Sequence, residues 1–408
     1  MALQKGRYVV LAAAFAIAAC GGTSGGGNSN TAPYQVVLAG DLSGSQAGNT
    51  GVATWAEKAY FDQLNTRGGI DGHRVNLTIL DTQSTPQGAT AAFQKSLDSN
   101  PTTILMSGSS GEYVTAAPIA VRAKIPVIST GGTPDSAIYP AHAYQYEAIP
   151  TAYQSALAQV QVAHMLAKEN NVSNPRIAIT GPSVPYVADF SRAVHDLASR
   201  YGYTVVFDAL NSLTATDFTA DAAKIDSTHP DIIVGSQTEQ FAPVVVSALA
   251  ADGVKVPFVN FFGSDSPALY DKLQAPDYYA MRFAAFPTDP SLRDMQVAAQ
   301  KDNVAQYEVR QFFTAGWIAA ATTAAALRKC GWPCSGSKMN ASLEKISKLN
   351  LSPYVYGSVT LNAKRHYFVS SMQPFHWVSG NIVPYGKPVD VSGQPSETYV
   401  NQVNGASA

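Results

Sequence analysis

Short apolar runs alternate with segments of helical periodicity along most of this chain, and this alternation constrains the fold more than any other feature. Apolar runs of about four to eight residues are typical of buried strands, and apolar residues three or four positions apart are typical of helices. The predicted strands are 34–39, 75–81, 103–106, 126–128, 176–180, 204–209, 231–234, 258–261 and 279–283, and the helices between them are 50–65, 86–97, 114–123, 153–169, 187–201, 218–225 and 241–252. Strands that alternate with helices form βαβ units, so an α/β protein with parallel sheets is expected.

So many predicted strands exceed the ~4–6 strands of a typical sheet, and two doubly wound lobes are therefore expected. The alternating pattern is interrupted by a proline at Ile149-Pro150 and again at Phe286-Pro287. Beyond the second interruption, the sequence predicts a long helical region at 292–327, antiparallel strands at 367–369 and 374–378, and a turn at 379–381.

The N-terminus has the pattern of a secretory signal peptide. Lys5 and Arg7 precede an apolar run from Val9 to Ala19, which is shorter than the ~20 residues of a spanning helix. The end of this run, followed by Cys20, resembles the lipobox of bacterial lipoproteins, which implies cleavage of residues 1–19 and lipid on Cys20. A plain signal peptide, or a short anchor with an incidental cysteine, is the alternative. Residues 20–33 are rich in Gly, Ser, Asn and Thr and are expected to form a flexible tether.

Composition excludes some partners and cofactors. The net charge is −2 and 14% of residues are charged, so no basic surface for nucleic acid is expected. The seven histidines are scattered without metal-binding spacing, and neither a metal nor a cofactor is expected. Cys330 and Cys334 are expected to form a disulfide outside the cytoplasm. A metal pair would need further ligands, and redox pairs usually have two intervening residues.

Two loops rich in Gly, Ser and Thr follow consecutive predicted strands. They span residues 107–113 and 129–135, and neighbouring parallel strands would bring them together at the carboxyl edge of one sheet. Free amides at a helix start, together with hydroxyl groups, suit an anion such as a carboxylate. The alternative is a pair of ordinary turns in which Ser and Thr cap helices. Neither loop has the spacing of a P-loop or a nucleophile elbow.

Several short motifs together resemble the type I periplasmic binding proteins, in the branch that includes leucine/isoleucine/valine-binding proteins. These motifs lie between about Tyr34 and Tyr385 and comprise Asp41-Leu42-Ser43-Gly44, Arg67-Gly68-Gly69-Ile70-Asp71-Gly72, Asp81-Thr82-Gln83, Ser109-Ser110, Ile128-Ser129, Gly132-Thr133 and Pro185-Tyr186. The resemblance implies two Rossmann-like lobes joined by a hinge of three segments. It places lobe 1 at 34–150 and 286–362, lobe 2 at 151–285 and 363–395, and a C-terminal tail at 396–408.

The resemblance also implies a set of ligand contacts. Contacts to a ligand carboxylate would come from Ser109, Gly132 and Thr133, and a ligand-facing aromatic ring from Tyr186. Ser110, next to Ser109, is also expected to be a ligand-binding residue. The loop after Gly235 would bring Gln237, Thr238 or Glu239 within reach, and the first loop, with Gln46, Gly48 and Asn49, would cover the ligand.

One position departs from the amino-acid binders of this branch. Where they carry an acidic residue facing the ligand ammonium, this chain has Phe262, with Asp265 three residues on. A buried ammonium without a carboxylate partner is costly. Either Glu239 or Asp265 therefore takes that role, or the ligand is an apolar or aromatic carboxylate that stacks on Phe262 and Tyr186. Phe262 as an ordinary core residue is the alternative.

These features favour reversible binding without catalysis. The resemblance implies a monomeric extracytoplasmic receptor that delivers a small molecule to an ABC permease, held at the membrane by lipid on Cys20. A sensor of the same fold without transport is a second interpretation. A hydrolase is a third, but no nucleophile, base and acid are set up together in the sequence.

Overall fold

The computed structural model describes residues 32–213, 215–286, 289–308 and 310–405. The predicted signal peptide, the lipidation of Cys20 and most of the predicted tether lie outside the described residues. Within the described residues, no helix combines the length and the apolar character needed to cross a membrane.

The first sheet is parallel, and its strands have the order β2-β1-β3-β4-β5. Its strands are β1 Tyr34–Gly40, β2 Val75–Asp81, β3 Thr103–Ser107, β4 Val127–Ser129 and β5 Gln145–Glu147, and helices α1 Val52–Thr66, α2 Pro86–Ser96 and α3 Ser110–Arg122 connect them. The predicted strands and helices of this part are confirmed within a few residues. β5 was not predicted, because its residues Gln145–Glu147 do not form the apolar run that identified the other short strands.

The second sheet has the order β12-β11-β10-β9-β8-β6-β7, with β13 paired to β11. Its strands are β6 Arg176–Pro182, β7 Thr204–Asn211, β8 Ile232–Gly235, β9 Phe258–Asn260, β10 Tyr278–Arg282, β11 Ser371–Val378, β12 Asn381–Pro384 and β13 Val389–Asp390. Its helices are α4 Ala152–Glu169, α5 Pro185–Tyr201, α6 Thr219–Ser227, α7 Ala242–Ala251 and α8 Pro267–Leu273. β6 to β10 pair in parallel, while β11 is antiparallel to β10 and β12.

The chain returns to the first sheet after β10 through α9 Arg293–Lys301, α10 Gln311–Cys330 and α11 Gly336–Leu343. The predicted helical region at 292–327 is therefore two helices separated by a break, a correction to the single long segment. α10 packs tightly on α1, since a Cβ at Gly316 would lie 2.2 Å from the Ala53 carbonyl oxygen. Cys330 and Cys334 lie together at the end of α10, with their Cα atoms 5.8 Å apart, a separation that suits the disulfide predicted for them.

The chain crosses between the two sheets three times, after β5, after β10 and before β11. The molecule is thus an α/β protein of two lobes, as expected, and the residue limits of the lobes stay a prediction. The strand predicted at 367–369 is wrong. Tyr367 instead forms an isolated parallel bridge with Glu147, so the third crossing runs beside the first.

The C-terminal segment predicted as a tail contains a helix, α12 Glu397–Gly405. The Tyr399 hydroxyl is buried and donates to Asp135 Oδ2 at 2.7 Å and to the Asp189 carbonyl oxygen at 3.2 Å. At the other end of α12, Asn404 Nδ2 donates to the Tyr139 carbonyl oxygen at 2.9 Å. Because Asp135 and Tyr139 belong to the β4–β5 connection and Asp189 to α5, α12 contacts both lobes.

Candidate ligand-binding cavity

A cavity of about 100 Å³ lies where the carboxyl ends of strands from both sheets face each other. This is the place where open α/β sheets bind ligands. One wall comes from the loops after β1, β3 and β4, and the other from the loops after β6, β8 and β9. The lining residues are Ser45, Gln46, Asn49, Thr50, Ser84, Ser109, Ser110, Gly131, Gly132, Ile149, Pro182, Val184, Tyr186, Val187, Leu213, Ser236, Thr238, Phe261, Phe262 and Phe312.

The two loops predicted to meet after β3 and β4 are in contact. β3 and β4 are parallel neighbours, and Thr130 N–H donates to the Met106 carbonyl oxygen at 2.9 Å. A Cβ at Gly131 would lie 1.9 Å from the Gly108 carbonyl oxygen. Glycine at position 131 is therefore required for this close approach, and the paired loops form one continuous wall.

Ser109 precedes α3 and lines the cavity, but its donors are already used. Its backbone N–H and its hydroxyl donate to Glu112 Oε2, at 2.7 and 2.8 Å. Its predicted contact with a ligand carboxylate stays a prediction and would require the hydroxyl or the amide to leave Glu112. The first amides of an α-helix have no intrahelical partners, so those of Ser110 and Gly111 are the better donors to an anion at this wall.

Glu112 is completely buried beneath this loop. Burial raises the pKa of the Glu112 carboxyl to about 8, and the nearby Asp41 carboxylate acts in the same direction. Asp41 is also buried and accepts from the hydroxyls of Thr50 at 2.8 Å and Thr82 at 2.7 Å. A carboxyl group that stays protonated at neutral pH therefore lies beneath the loop after β3 and accepts hydrogen bonds from Ser109.

We expect the protein to be more stable at about pH 5 than at about pH 8.5. Burial raises the pKa of Glu112 from 4.5 to about 8 and that of Asp135 from 3.8 to about 7, so the folded chain holds protons that the unfolded chain releases. This contribution is complete below the unfolded pKa values and is lost as pH rises through the folded ones. One pKa unit is worth about 1.4 kcal/mol, and the folded pKa values of Glu112 and Asp135 lie about three and about two units above pH 5. The free energy of unfolding, measured by urea titration, should therefore fall by up to about 7 kcal/mol across this window.

The Glu112→Gln variant is the control for this pH dependence. Glutamine keeps an oxygen that can accept from Ser109 and cannot ionise, so its stability should vary less between about pH 6 and pH 8.5 than that of the wild type. Equal slopes in the two proteins would contradict the assignment of this proton to Glu112.

Tyr186 forms the opposite wall and connects the lobes. Its backbone N–H donates to Ser110 Oγ at 3.1 Å, and its hydroxyl donates to the Pro150 carbonyl oxygen at 2.9 Å on the first crossing. A Cβ at Gly132, which has a φ of +107°, would lie 3.3 Å from the Tyr186 ring. A side chain at position 132 would thus face both an unfavourable backbone conformation and the ring, so glycine suits this contact.

Phe262 lines the cavity and is also part of the core. Its side chain is 0% exposed, and its ring packs against Phe283 and Phe312, with ring centroids 5.4 and 5.8 Å away. Phe261 and Phe312 line the cavity beside it. Phe262 is therefore a core residue that also lines the cavity, and its stacking on a ligand stays a prediction. Three phenylalanines make this part of the wall apolar.

Gly48, which lines a neighbouring pocket, and four other site residues implied by the resemblance do not line the cavity. Thr133 is fully buried behind it, and Gln237 is turned inward, with Nε2 donating to Thr180 Oγ1 at 2.8 Å. Glu239 pairs with Arg310 at 2.6 Å, in a neighbouring pocket next to Asn49.

Asp265 is the last of the implied residues that do not line the cavity. It is buried and pairs with the fully buried Arg282 at 2.5 Å, and it also accepts from Gln311 Nε2. Burial raises the pKa of Asp265 to about 7, while the Arg282 guanidinium acts in the opposite direction. The carboxylates proposed as partners for a ligand ammonium are thus already paired with arginines.

The remaining implied residues line the cavity, and the structure adds others. Gln46 and Asn49 cover one side, with Asn49 Nδ2 donating to Gln46 Oε1 at 3.1 Å. Ser236 and Leu213 were not anticipated, although Ser236 directly follows a strand end, the position that identified Ser109. None of the described residues that line the cavity is charged.

Comparison with known proteins gives a consistent result. A family model described as "Periplasmic binding protein" matches residues 33–381. No curated protein sequence matches the chain.

Many solved structures share the fold at low sequence identity. A branched chain amino acid ABC transporter protein from Thermus thermophilus with bound valine has a TM-score of 0.76 and 15% identity, over 91% of this chain and 99% of that one. An ABC transporter solute binding protein from R. palustris, in complex with 4-hydroxybenzoate, has a TM-score of 0.75 and 19% identity, over 91% and 100%. A fatty acid ABC transporter substrate-binding protein from Thermomonospora curvata has a TM-score of 0.72 and 18% identity, over 90% and 94%.

Proposed function

Because the chain belongs to the periplasmic binding protein family, of type I, we propose that it is the extracytoplasmic substrate-binding protein of an ABC importer. Its ligand is a small apolar or aromatic carboxylate without an ammonium group. The observation that carries this choice is the uncharged lining of the cavity beside the N-terminus of α3. The amides of Ser110 and Gly111, with the Ser110 hydroxyl, would bind the carboxylate, and the phenylalanine wall would contact the apolar body.

An amino acid is the less favoured ligand. Its ammonium would be buried without a carboxylate partner, because Asp265 and Glu239 are bound to Arg282 and Arg310. Solved structures of this fold hold ligands of both kinds, valine in one and 4-hydroxybenzoate in another. The lining of this cavity favours the second kind.

Hydrogen bonds between the lobes support a mechanism of hinge closure. Tyr186 N–H donates to Ser110 Oγ, and Asp135 N–H donates to Asp189 Oδ2 at 2.8 Å. A ligand that contacts both lobes binds the closed form more tightly than the open form, and this difference in affinity drives closure. Two or three charge-assisted hydrogen bonds and burial of the apolar body would give roughly micromolar affinity, about −8 kcal/mol.

Lipid on Cys20 would hold this receptor at the membrane near its permease and raise its effective concentration there. The pattern of residues 1–20 supports this part of the proposal. Membrane fractionation of the wild-type and Cys20→Ala chains tests it.

We expect 4-methylpentanoate to bind at least tenfold more tightly than leucine, which is the same carbon skeleton with an ammonium added. Thermal shift would screen leucine, valine, 4-methylpentanoate, benzoate and 4-hydroxybenzoate, and calorimetry would measure the dissociation constants. A ligand at 100 times its dissociation constant adds about 2.7 kcal/mol to stability, which a thermal shift detects. Tighter binding of leucine would contradict a ligand without ammonium, and binding of none of these acids would contradict the carboxylate site itself.

A further inference from the structure

Two residues of lobe 2 that line the cavity carry hydroxyl groups without a hydrogen-bond partner among the described residues. Ser236 directly follows β8 and is 1% exposed, and its side-chain oxygen is buried and unpartnered. Thr238, two residues on, has a buried and unpartnered hydroxyl as well. Both residues line the cavity.

The polar groups of Gln237 and Ser266 in and beside this loop are satisfied, while Gln159, whose Oε1 accepts from Gly235 N–H at 3.0 Å, has an unpartnered Nε2. Gln237 N–H donates to Asn260 Oδ1 at 2.9 Å, and the Gln237 carbonyl oxygen accepts from the Ser264 hydroxyl and from Asn260 Nδ2. The Ser266 hydroxyl donates to Glu239 Oε1 at 2.5 Å. Buried polar groups in folded proteins are nearly always paired. Within this loop, the two unpaired hydroxyls thus belong to the two residues that line the cavity.

We propose that Ser236, together with Thr238, binds a second and uncharged polar group of the ligand, such as a hydroxyl or a carbonyl. The ligand is then a hydroxy- or oxo-carboxylic acid with an apolar body, held by its carboxylate at α3 and by its second group at Ser236. This inference rests on the proposed function. A second charge would find no opposite charge among the described lining residues, whereas a serine hydroxyl can both donate to and accept from a neutral group.

A site built to hydrogen-bond a ligand hydroxyl discriminates strongly against the analogue that lacks it, because its own polar groups then stay unpaired. We therefore expect the wild-type protein to prefer the substituted member of a matched pair at least tenfold. The pairs are 4-hydroxybenzoate with benzoate, and 4-methyl-2-oxopentanoate and 4-methyl-2-hydroxypentanoate with 4-methylpentanoate. Calorimetry measures each dissociation constant.

The Ser236→Ala variant should lose most of this preference, to less than about threefold, while its affinity for the unsubstituted acid stays within about twofold. Thr238→Val should reduce the preference in the same direction. Without ligand, Ser236→Ala should melt at the same temperature as the wild type or higher, because the substitution removes a buried hydroxyl that has no partner. Ser96→Ala is the matched control, since Ser96 is buried outside the cavity and its hydroxyl donates to the Phe93 carbonyl oxygen at 2.7 Å. It should melt lower and keep the wild-type preference.

The outcomes separate this inference from the function on which it rests. The role of Ser236 would be overturned if substituted and unsubstituted acids bound equally, or if Ser236→Ala kept the preference. Neither result would contradict the proposed function, which is the binding of a carboxylate. A lower melting temperature of ligand-free Ser236→Ala would assign the hydroxyl a structural role and overturn the inference in the same way. Binding of no acid at all would overturn both.

Discussion

Replacing Arg282 with alanine is expected to lower the free energy of unfolding by about 3–5 kcal/mol. The guanidinium is 0% exposed and contacts Asp265 Oδ2 at 2.5 Å, and it donates to the carbonyl oxygens of Ala284 and Ala285 at 3.1 Å each. It also lies 4.0 Å from the centroid of the Phe286 ring. Its removal leaves the buried Asp265 carboxylate without its cationic partner, with only Gln311 Nε2 as a donor, and takes a donor from two carbonyl groups next to the second crossing between the lobes.

Urea titration of the purified variant measures this loss. Arg67→Ala is the control, because Arg67 and Asp294 form an ion pair in which both side chains are more than half exposed, and such pairs contribute at most about 1 kcal/mol. The double variant Arg282→Met/Asp265→Leu should recover part of the stability, since it removes both charges. A loss of less than about 1 kcal/mol in Arg282→Ala would contradict the importance of this pair.

Replacing Tyr186 with alanine is expected to weaken binding of the tightest acid in the screen by about 30- to 100-fold, or roughly 2–3 kcal/mol. The residue is 6% exposed, and its ring forms the wall opposite Gly132. Its hydroxyl donates to the Pro150 carbonyl oxygen and accepts from the Ser155 hydroxyl, and these bonds hold the ring in place. Truncation removes a contact surface for the ligand and a contact between the lobes. We therefore expect a higher dissociation constant and a smaller fraction of closed molecules. Calorimetry measures the affinity, and small-angle scattering with and without ligand follows closure.

Two further variants show which part of Tyr186 matters. Tyr186→Phe keeps the ring and loses only the hydroxyl hydrogen bonds, so its affinity should lie between those of the wild type and Tyr186→Ala. Tyr201→Ala lies at the opposite end of α5, outside the cavity, and should bind as the wild type does. Wild-type affinity in Tyr186→Ala would show that this wall is not in contact with the ligand.

Local patterns were sufficient to predict most of the fold. Strands such as β2 and β6 are continuous apolar or alternating runs, and the helices between them have one apolar face, so their periodicity appears in the sequence. β5 lacks an apolar run, and α8 is too short to show a period. The pairing of Tyr367 with Glu147 could not be predicted either, because it joins residues far apart in the sequence across two crossings.

For the site, the sequence predicted which loops lie together, because these loops directly follow strand ends. Gly131 and Ser110 lie in loops directly after β4 and β3, and topology alone brings such loops together. The sequence did not predict contacts that depend on a distant partner. Nothing near Asp265 in the sequence indicates that Arg282 neutralises it, and nothing near Ser109 excludes a free hydroxyl except Glu112, three residues on, which is also a common helix-capping residue.

Helix α12 has a practical consequence for recombinant work on this protein. The family match ends at residue 381, whereas the buried Tyr399 donates to Asp135, and the Ser396 hydroxyl donates to Asp196 Oδ1 at 2.8 Å. A gene trimmed to the family boundary would encode a chain in which Asp135 keeps only the amides of Ala152 and Tyr153 as donors. The unit that folds therefore extends at least to Gly405, beyond the unit that sequence comparison detects.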